Sequence, residues 1–327
     1  MEYRRLGNTG LKVSRLCFGT MTYGSKTWRP WILEYDEAIP FFRHALDLGV
    51  NFFDTADMYS FGACEEVVCR ALKELGASRD RVVIATKVFN AMSDDPNDRG
   101  LSRKHIFKSI DNSLRRLGTD FVDLYQIHRF DYETPIEETL GALDDLVRIG
   151  KVRYIGASAM YAWQFMKMLA TSERLRLAKF VSMQNYYNLV YREEEREMLP
   201  LCRTEGIGVI PFSPLARGFV VGNRRTEDWG ETIRAKTDDY SRGQYYRPLD
   251  FAIVDRISAI AEARGVNNAQ IALAWVLQQP GITAPIVGAT KLSHLDDAVC
   301  AQSIKLDDAE LKSLGELYET RPIMAHS

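Results

Sequence analysis

From Asn51 to Tyr59 the chain reads Asn-Phe-Phe-Asp-Thr-Ala-Asp-Met-Tyr. Apolar residues run up to Asp54 as in a strand, a polar turn follows, and Tyr59 comes five residues after the aspartate. Two later strand-like runs also close on a reactive residue: Arg81 to Lys87 ends on Lys87, and Phe121 to His128 ends on His128. An Asp, a Tyr, a Lys and a His therefore stand at or just past the ends of three successive strands. In a parallel β-barrel those ends share one face, and that face is where such barrels do chemistry.

Lys87 by itself has three readings. It is a Schiff-base nucleophile, as in an aldolase; a structural ion-pair partner; or a cation that lowers the pKa of a neighbouring acid. Asp54 and Tyr59 favour the third. The alkoxide formed when hydride reaches a carbonyl must take a proton, and a tyrosine, with an unperturbed pKa of about 10, is too weak an acid near neutrality unless a cation is close. Lys87 supplies that cation, Asp54 holds its charge, and His128 hydrogen-bonds and orients the substrate oxygen. In isolation His128 reads as a satisfied core histidine, and Tyr59 as one surface tyrosine among fifteen. The place of His128 before polar Arg129 and Asp131, and the spacing of Tyr59 from Asp54, argue for function.

The elements that must position these groups alternate along the chain. Tyr3 to Leu6 and Leu11 to Val13 flank Gly7-Asn8-Thr9-Gly10 and read as a short hairpin ahead of the main fold. Strands are predicted over 15–20, 51–54, 81–87, 121–127, 152–158, 180–184, 207–212 and 284–287. Helical apolar spacing lies between them over 36–48, 64–75, 102–117, 135–149, 162–170, 192–203, 251–264, 268–279 and 293–301. Ser102 reads as an N-cap, and Gly118 follows the end of its helix. The stretch 213–248, dense in Gly, Arg, Asp and Tyr, is a long irregular segment of the functional kind. A last helix over 307–319 is expected to pack across the barrel. Eight strand–helix units in one direction imply an α/β fold, a (β/α)8 TIM barrel with an N-terminal hairpin and extra C-terminal helices. No repeat or linker divides residues 1–327, so one domain is expected.

Composition narrows the partners. The chain is 46% hydrophobic and 26% charged, which suits a large packed core. Its 42 basic and 44 acidic residues nearly cancel, so neither nucleic acid nor an anionic membrane is called for. No apolar run reaches transmembrane length and no signal peptide is visible, so a cytoplasmic protein is expected. Cys17, Cys64, Cys69, Cys202 and Cys300 are scattered with no CxxC, which reads as reduced thiols without a zinc site.

Taken together, several motifs carry a resemblance over nearly the whole chain. They are Asp54-Thr55-Ala56-x-x-Tyr59, Ala85-Thr86-Lys87, the run from Asp123 to His128, Gly150 to Ser158, and Ser213 to Gly218. In these the sequence resembles the aldo-keto reductase family, and the family's tetrad falls on Asp54, Tyr59, Lys87 and His128. The style of the match resembles the bacterial branch of aryl-aldehyde reductases related to the potassium-channel β-subunits.

The resemblance implies reduction of an aldehyde or ketone, reversibly, with NADPH lying extended across the barrel top and NADH as the alternative. No metal is implied. No dinucleotide-fold fingerprint competes, since Gly206-Ile207-Gly208 lacks the third glycine and enters a strand. By the same resemblance Ser158 and Gln184 hold the carboxamide, and Phe212 stacks on the nicotinamide. Ser213, Leu215, Arg217 and Gly218 line the pyrophosphate path. Gly288, Thr290, Lys291, His294 and Asp297 surround the adenosine end, and Arg234 grips the 2′-phosphate. Thr20, Met21 and Asp54 complete the cofactor set. The chain departs from the pattern at Ala159, where Asn or Arg is common, at His294, where Arg or Gln is common, and at Ala298, where an adenine-binding Asn is common. These departures bear on NADPH against NADH.

The substrate is expected to be a small carbonyl compound, aromatic or cyclic. Candidate walls are Trp28, Trp31, Tyr23, Phe89, Met92, Phe130, Tyr161 and Tyr187. Two other functions are weighed beside the reductase: a cofactor-binding redox sensor or regulatory subunit with slow turnover, and an aldolase using Lys87.

Overall fold

The computed structural model describes residues 1–224, 233–237 and 244–326, the side chains of 234 and 235 excepted. The hairpin is present, with β1 (Tyr3–Arg5) antiparallel to β2 (Lys12–Ser14). It is a plug rather than an appendage. Leu6 and Val13 are fully buried against Cys17, Phe52, Val83, Ala85, Leu124, Ile210 and Ala284, apolar residues of the barrel strands. Gly7 makes this seat possible. Its φ is 57°, and a Cβ there would stand 2.5 Å from the Gly206 carbonyl oxygen.

The barrel strands are β3 (Cys17–Gly19), β4 (Phe52–Asp54), β5 (Val83–Val88), β6 (Val122–Ile127), β7 (Val152–Ser158), β8 (Phe180–Gln184), β9 (Gly208–Val209) and β10 (Ile286–Val287). All neighbours are parallel, in the order β10-β3-β4-β5-β6-β7-β8-β9. The Thr283 N–H donates to the Val209 carbonyl at 2.7 Å and Ile286 N–H to that of Pro211 at 2.8 Å. These bonds close the ring between β9 and the approach to β10, as a TIM barrel requires. Strands one, seven and eight of the barrel are shorter than the sequence implies: Arg15 and Leu16 bend ahead of β3, and the residues flanking β9 and β10 carry only isolated bridges and single backbone hydrogen bonds.

Helices α1 (Tyr35–Asp47), α2 (Ala63–Glu74), α3 (Arg103–Leu117), α4 (Ile136–Arg148), α5 (Ala162–Leu175) and α6 (Met198–Glu205) alternate with the strands. In α3, Ser102 accepts the His105 N–H at 3.3 Å as the N-cap, and Gly118 ends the helix at φ 60°. Ile106, Ser109, Ile110, Ser113, Leu114 and Leu117 form its buried stripe at helical spacing. Helix α5 runs five residues past its expected end. Helix α6 starts later than the apolar spacing over 192–203 suggested, for two reasons. Pro200, which has no N–H to give, falls in the first turn of α6, where that N–H would go unpaired within the helix anyway. Glu193 and Glu194, just ahead of it, are buried and engaged by the C-terminal tail.

Beyond β9 come α7 (Ile233–Thr237), α8 (Pro248–Arg264), α9 (Asn268–Gln278), α10 (Ser293–Ala301) and α11 (Asp308–Gly315). The last helix does not cross the barrel. It packs on α8, where Arg264 pairs with Glu310 at 2.6 Å and Arg256 donates to Ser313 Oγ at 2.8 Å. The hairpin already fills the barrel's N-terminal end. All five cysteines are free, and among the described residues no helix is long and apolar enough to cross a membrane.

Candidate active site

Side chains two apart on a strand share a face. The barrel interior therefore runs from Phe52 to Asp54, from Ala85 to Lys87, and from Leu124 to Gln126 and His128. The lower members pack as apolar core; the upper ones carry the polar groups. At that level Lys87 Nζ donates to Asp54 Oδ1 at 2.6 Å, to the Thr55 carbonyl at 2.8 Å and to the Tyr59 hydroxyl at 3.2 Å. Asp54 Oδ2 accepts from Gln126 Nε2 at 3.0 Å and from Gln184 Nε2 at 2.9 Å. Gly156 makes room for this network, since a Cβ there would stand 2.4 Å from Ser182 Oγ and 3.0 Å from Gln126 Cγ.

Lys87 is fully buried. Burial works against its charge, but Asp54 and Tyr59 together hold its pKa above the ordinary lysine value. It is therefore an ammonium, which removes the free amine that a Schiff-base mechanism needs. Tyr59 is lifted by burial and by the Asp54 charge and pulled down by Lys87, and the net direction is upward from 10. Lys87 lowers it as a nearby cation should, but in the protein alone desolvation outweighs the cation. His128 is held well below 6.5, by burial first and then by Lys87 and Arg129, and is neutral at physiological pH.

Tyr59 rides on a strained turn. Ser60 and Phe61, both non-glycine, adopt φ 50°, and Gly62 follows at φ 97°. Left-handed residues of this kind each cost about 1–2 kcal/mol and collect at functional sites. The turn is pinned on several sides. Lys87 accepts the Asp57 N–H on its carbonyl at 3.3 Å, and Ser60 Oγ accepts the Ser25 N–H at 3.2 Å. Behind it the Asp57 carboxylate is buried and accepts from Ser109 Oγ at 2.8 Å. Burial and the nearby Glu65 push the Asp57 pKa up to about 7.

The Tyr59 and His128 rings meet edge to face with centroids 5.9 Å apart, and Trp28 lies 6.2 Å from Tyr59 on another side. Asn90 Nδ2 is 3.1 Å from His128 Nδ1. The structure brings Asp54, Tyr59, Lys87 and His128 together at one face of the barrel. Sequence reasoning missed Gln126, Asn90 and Asp57 as their neighbours. Gln126 had a signal, being a fully buried polar residue two positions after inward-facing Leu124; Asn90, in an irregular loop, had none.

The remaining residues singled out for a cofactor are spread along the mouth. Ser158 and Gln184 pair in register at the ends of β7 and β8, with Ser158 Oγ donating to the Gln184 carbonyl at 3.0 Å. Phe212 is half-buried, stacked on Tyr186 at 5.2 Å. Ser213 (φ 53°), Arg217 (φ 55°) and Gly218 (φ 87°) bend the chain tightly around half-buried Leu215. Gly288, Thr290 and Lys291 are exposed, and His294 and Asp297 half-buried, at the start of α10. Thr20 is buried with its hydroxyl on the Asp54 carbonyl at 2.8 Å, and Met21 packs beside Tyr59. The Arg234 side chain lies outside the described residues. Of the candidate substrate walls, Tyr23, Trp31 and Tyr187 are core residues; Trp28, Phe89, Met92, Phe130 and Tyr161 are half-buried or exposed.

The family model for the aldo/keto reductase family matches residues 15–319. A versiconal hemiacetal acetate reductase of Aspergillus parasiticus is 43% identical, with 99% of this chain and 98% of that protein aligned. The aldo-keto reductase dtxS3 of Metarhizium robertsii is 40% identical over all of this chain and 94% of its own length. A Schizosaccharomyces pombe protein, named provisionally as an aryl-alcohol dehydrogenase, is 42% identical over 98% of this chain and 97% of its own. These relatives are fungal and lend no support to the bacterial branch related to channel subunits. The chain belongs to the aldo/keto reductase family, whose members generally use NAD(P)H, and is an oxidoreductase acting on carbonyl and alcohol groups.

Proposed function

We propose that this chain reduces an aromatic or cyclic aldehyde or ketone with NADPH, in the cytoplasm, from one barrel domain spanning residues 1–327. The observation that carries the reading is the buried chain Asp54–Lys87–Tyr59, with Tyr59 hydroxyl 3.2 Å from the ammonium and the His128 ring beside it. Tyr59 gives its proton to the substrate oxygen. Lys87 stabilises the phenolate left behind, and Asp54 keeps Lys87 charged and aimed. Neutral His128 donates a hydrogen bond to the same oxygen as charge develops on it.

The residues at hand fit the dinucleotide. Gln184 gives its Nε2 to Asp54, so its Oε1 and the lone pairs of Ser158 Oγ are the atoms suited to a carboxamide N–H. The Phe212 ring, with one face on Tyr186, offers its other face for stacking. Helix α10 begins without a side-chain cap, beside exposed Lys291, which suits an anionic phosphate. When bound, NADPH supplies the hydride; Ser158, Gln184, Phe212, Ser213, Leu215, Arg217, Gly218 and residues 288–297 would hold it, with Arg234 as a second cation for the 2′-phosphate. The aromatic preference rests on Trp28 at Tyr59 and on Phe130, which packs with Tyr132 and Trp163, and on the relative named as an aryl-alcohol dehydrogenase.

The test is a fluorescence titration with NADPH and with NADH, followed by a panel of aryl and aliphatic carbonyls under the tighter cofactor. Tighter NADPH binding and faster turnover of aryl substrates are expected. Preference for NADH, or for short aliphatic aldehydes, would overturn the corresponding half of the reading.

A further inference from the structure

We propose that Asn90 selects the tautomer of His128 and so acts as a positioning residue for carbonyl reduction. The inference rests on the role given above to His128. A neutral imidazole carries one N–H, on either Nδ1 or Nε2, and only a protonated nitrogen donates. His128 is in that neutral state, buried beside two cations, Lys87 and Arg129. Asn90 Nδ2 stands 3.1 Å from Nδ1. With its NH2 turned to the ring, as the structure has it, the amide donates, so Nδ1 accepts and the ring proton sits on Nε2. That tautomer can donate to a substrate oxygen. The other would turn a lone pair on it, repelling the charge that the reduction creates.

Asn90 is placed firmly enough for the task. It follows the end of β5 by two residues, and the loop it opens is laced shut on both sides. The Gly100 N–H donates to the Phe89 carbonyl at 2.7 Å, and Met92 N–H to that of Asp98 at 3.0 Å. The His128 main chain is tied to the same strand, its N–H on the Val88 carbonyl at 2.9 Å. Amide and imidazole thus face each other across two adjacent, hydrogen-bonded strand ends.

Long-range proton–nitrogen correlation spectra of the wild-type protein read the tautomer directly. Protonated Nε2 with bare Nδ1 is expected; protonated Nδ1 would overturn the proposal without any variant. Asn90→Leu leaves the tautomer unbiased and should lower kcat about fivefold to tenfold with NADPH affinity unchanged. Asn90→Asp presents an acceptor, draws the proton to Nδ1 and should lower kcat about 100-fold where His128 is neutral, as for one lost oxyanion donor. Its activity should recover as the pH falls and the imidazolium regains an Nε2 proton, an acid-side rise that a packing role would not produce. An unchanged, flat profile for Asn90→Asp overturns the proposal. His128→Ala is the control: if it keeps full activity the role given to His128 fails, while the spectra still decide whether Asn90 sets the tautomer.

Discussion

At the end of the mouth built by β4, β5 and β6, the polar side chains are buried and already hydrogen-bonded to one another, a carboxylate and an ammonium included. At the end built by residues 213–218 and 288–297, shape comes from backbone bends, and the one described lysine, Lys291, is exposed. The difference follows from solvation. A charge taken out of water must be met by fixed partners, so the end at β4–β6 is cross-bonded and loses much stability when one partner goes. A charge left in water needs no such frame, and its attraction for a phosphate is modest and screened. The barrel thus pairs an end fixed in advance with one that a bound dinucleotide would complete.

Lys87→Met attacks the fixed end most directly. Activity should vanish, and stability in denaturant should fall by about 3–5 kcal/mol, because Asp54 is left buried without its counter-charge. Adding Asp54→Asn should restore stability and not activity. A Lys87→Met protein as stable as wild type would show that the ion pair does not hold this end together. Tyr59→Phe removes only the proton donor. It should cost about 10²–10⁴ in kcat, with NADPH binding by fluorescence nearly unchanged and turnover like wild type ruling out Tyr59 as the acid.

Titration sharpens the same contrast. In the proposed reduction Tyr59 acts while protonated, and its pKa is raised from 10, so reduction should hold through neutrality and decline only in strong alkali; His128, held well below 6.5, should add no limb near that value. Asp57 titrates at about 7 when folded but near 3.9 when unfolded. Between those values the native state binds more protons, so stability should fall as pH rises across that window. Asp57→Asn should flatten the decline, measurable by unfolding at pH 4.5 and 7.5; an unchanged slope would locate the effect elsewhere. The smallest effect is expected at the solvated end. Lys291→Ala should weaken NADPH binding about fivefold, leave NADH binding alone, and lose that difference in high salt. Equal weakening of both cofactors would remove Lys291 from the 2′-phosphate.

The candidate catalytic set was legible because a strand repeats every two residues. Asp54, Lys87 and His128 each stand in step with an inward apolar partner, and each is the polar residue that ends its run. Helix ends were legible for a similarly local reason, as at Ser102 and Gly118. Local spacing misled where a distant partner or a proline intervened. The start of α6 moved to accommodate Pro200 and the buried Glu193 and Glu194, and the last helix went to α8 because the hairpin had filled the barrel end.

The sequence by itself determined which chemical groups reach the barrel mouth, since composition and periodicity act within a strand. Only the tertiary structure decided what holds them. Asp54 takes Gln126 from 72 residues away and Gln184 from 130, and His128 takes Asn90 from 38. A hydrogen bond forms between atoms about 3 Å apart in space, and separation along the chain leaves no periodic trace of it.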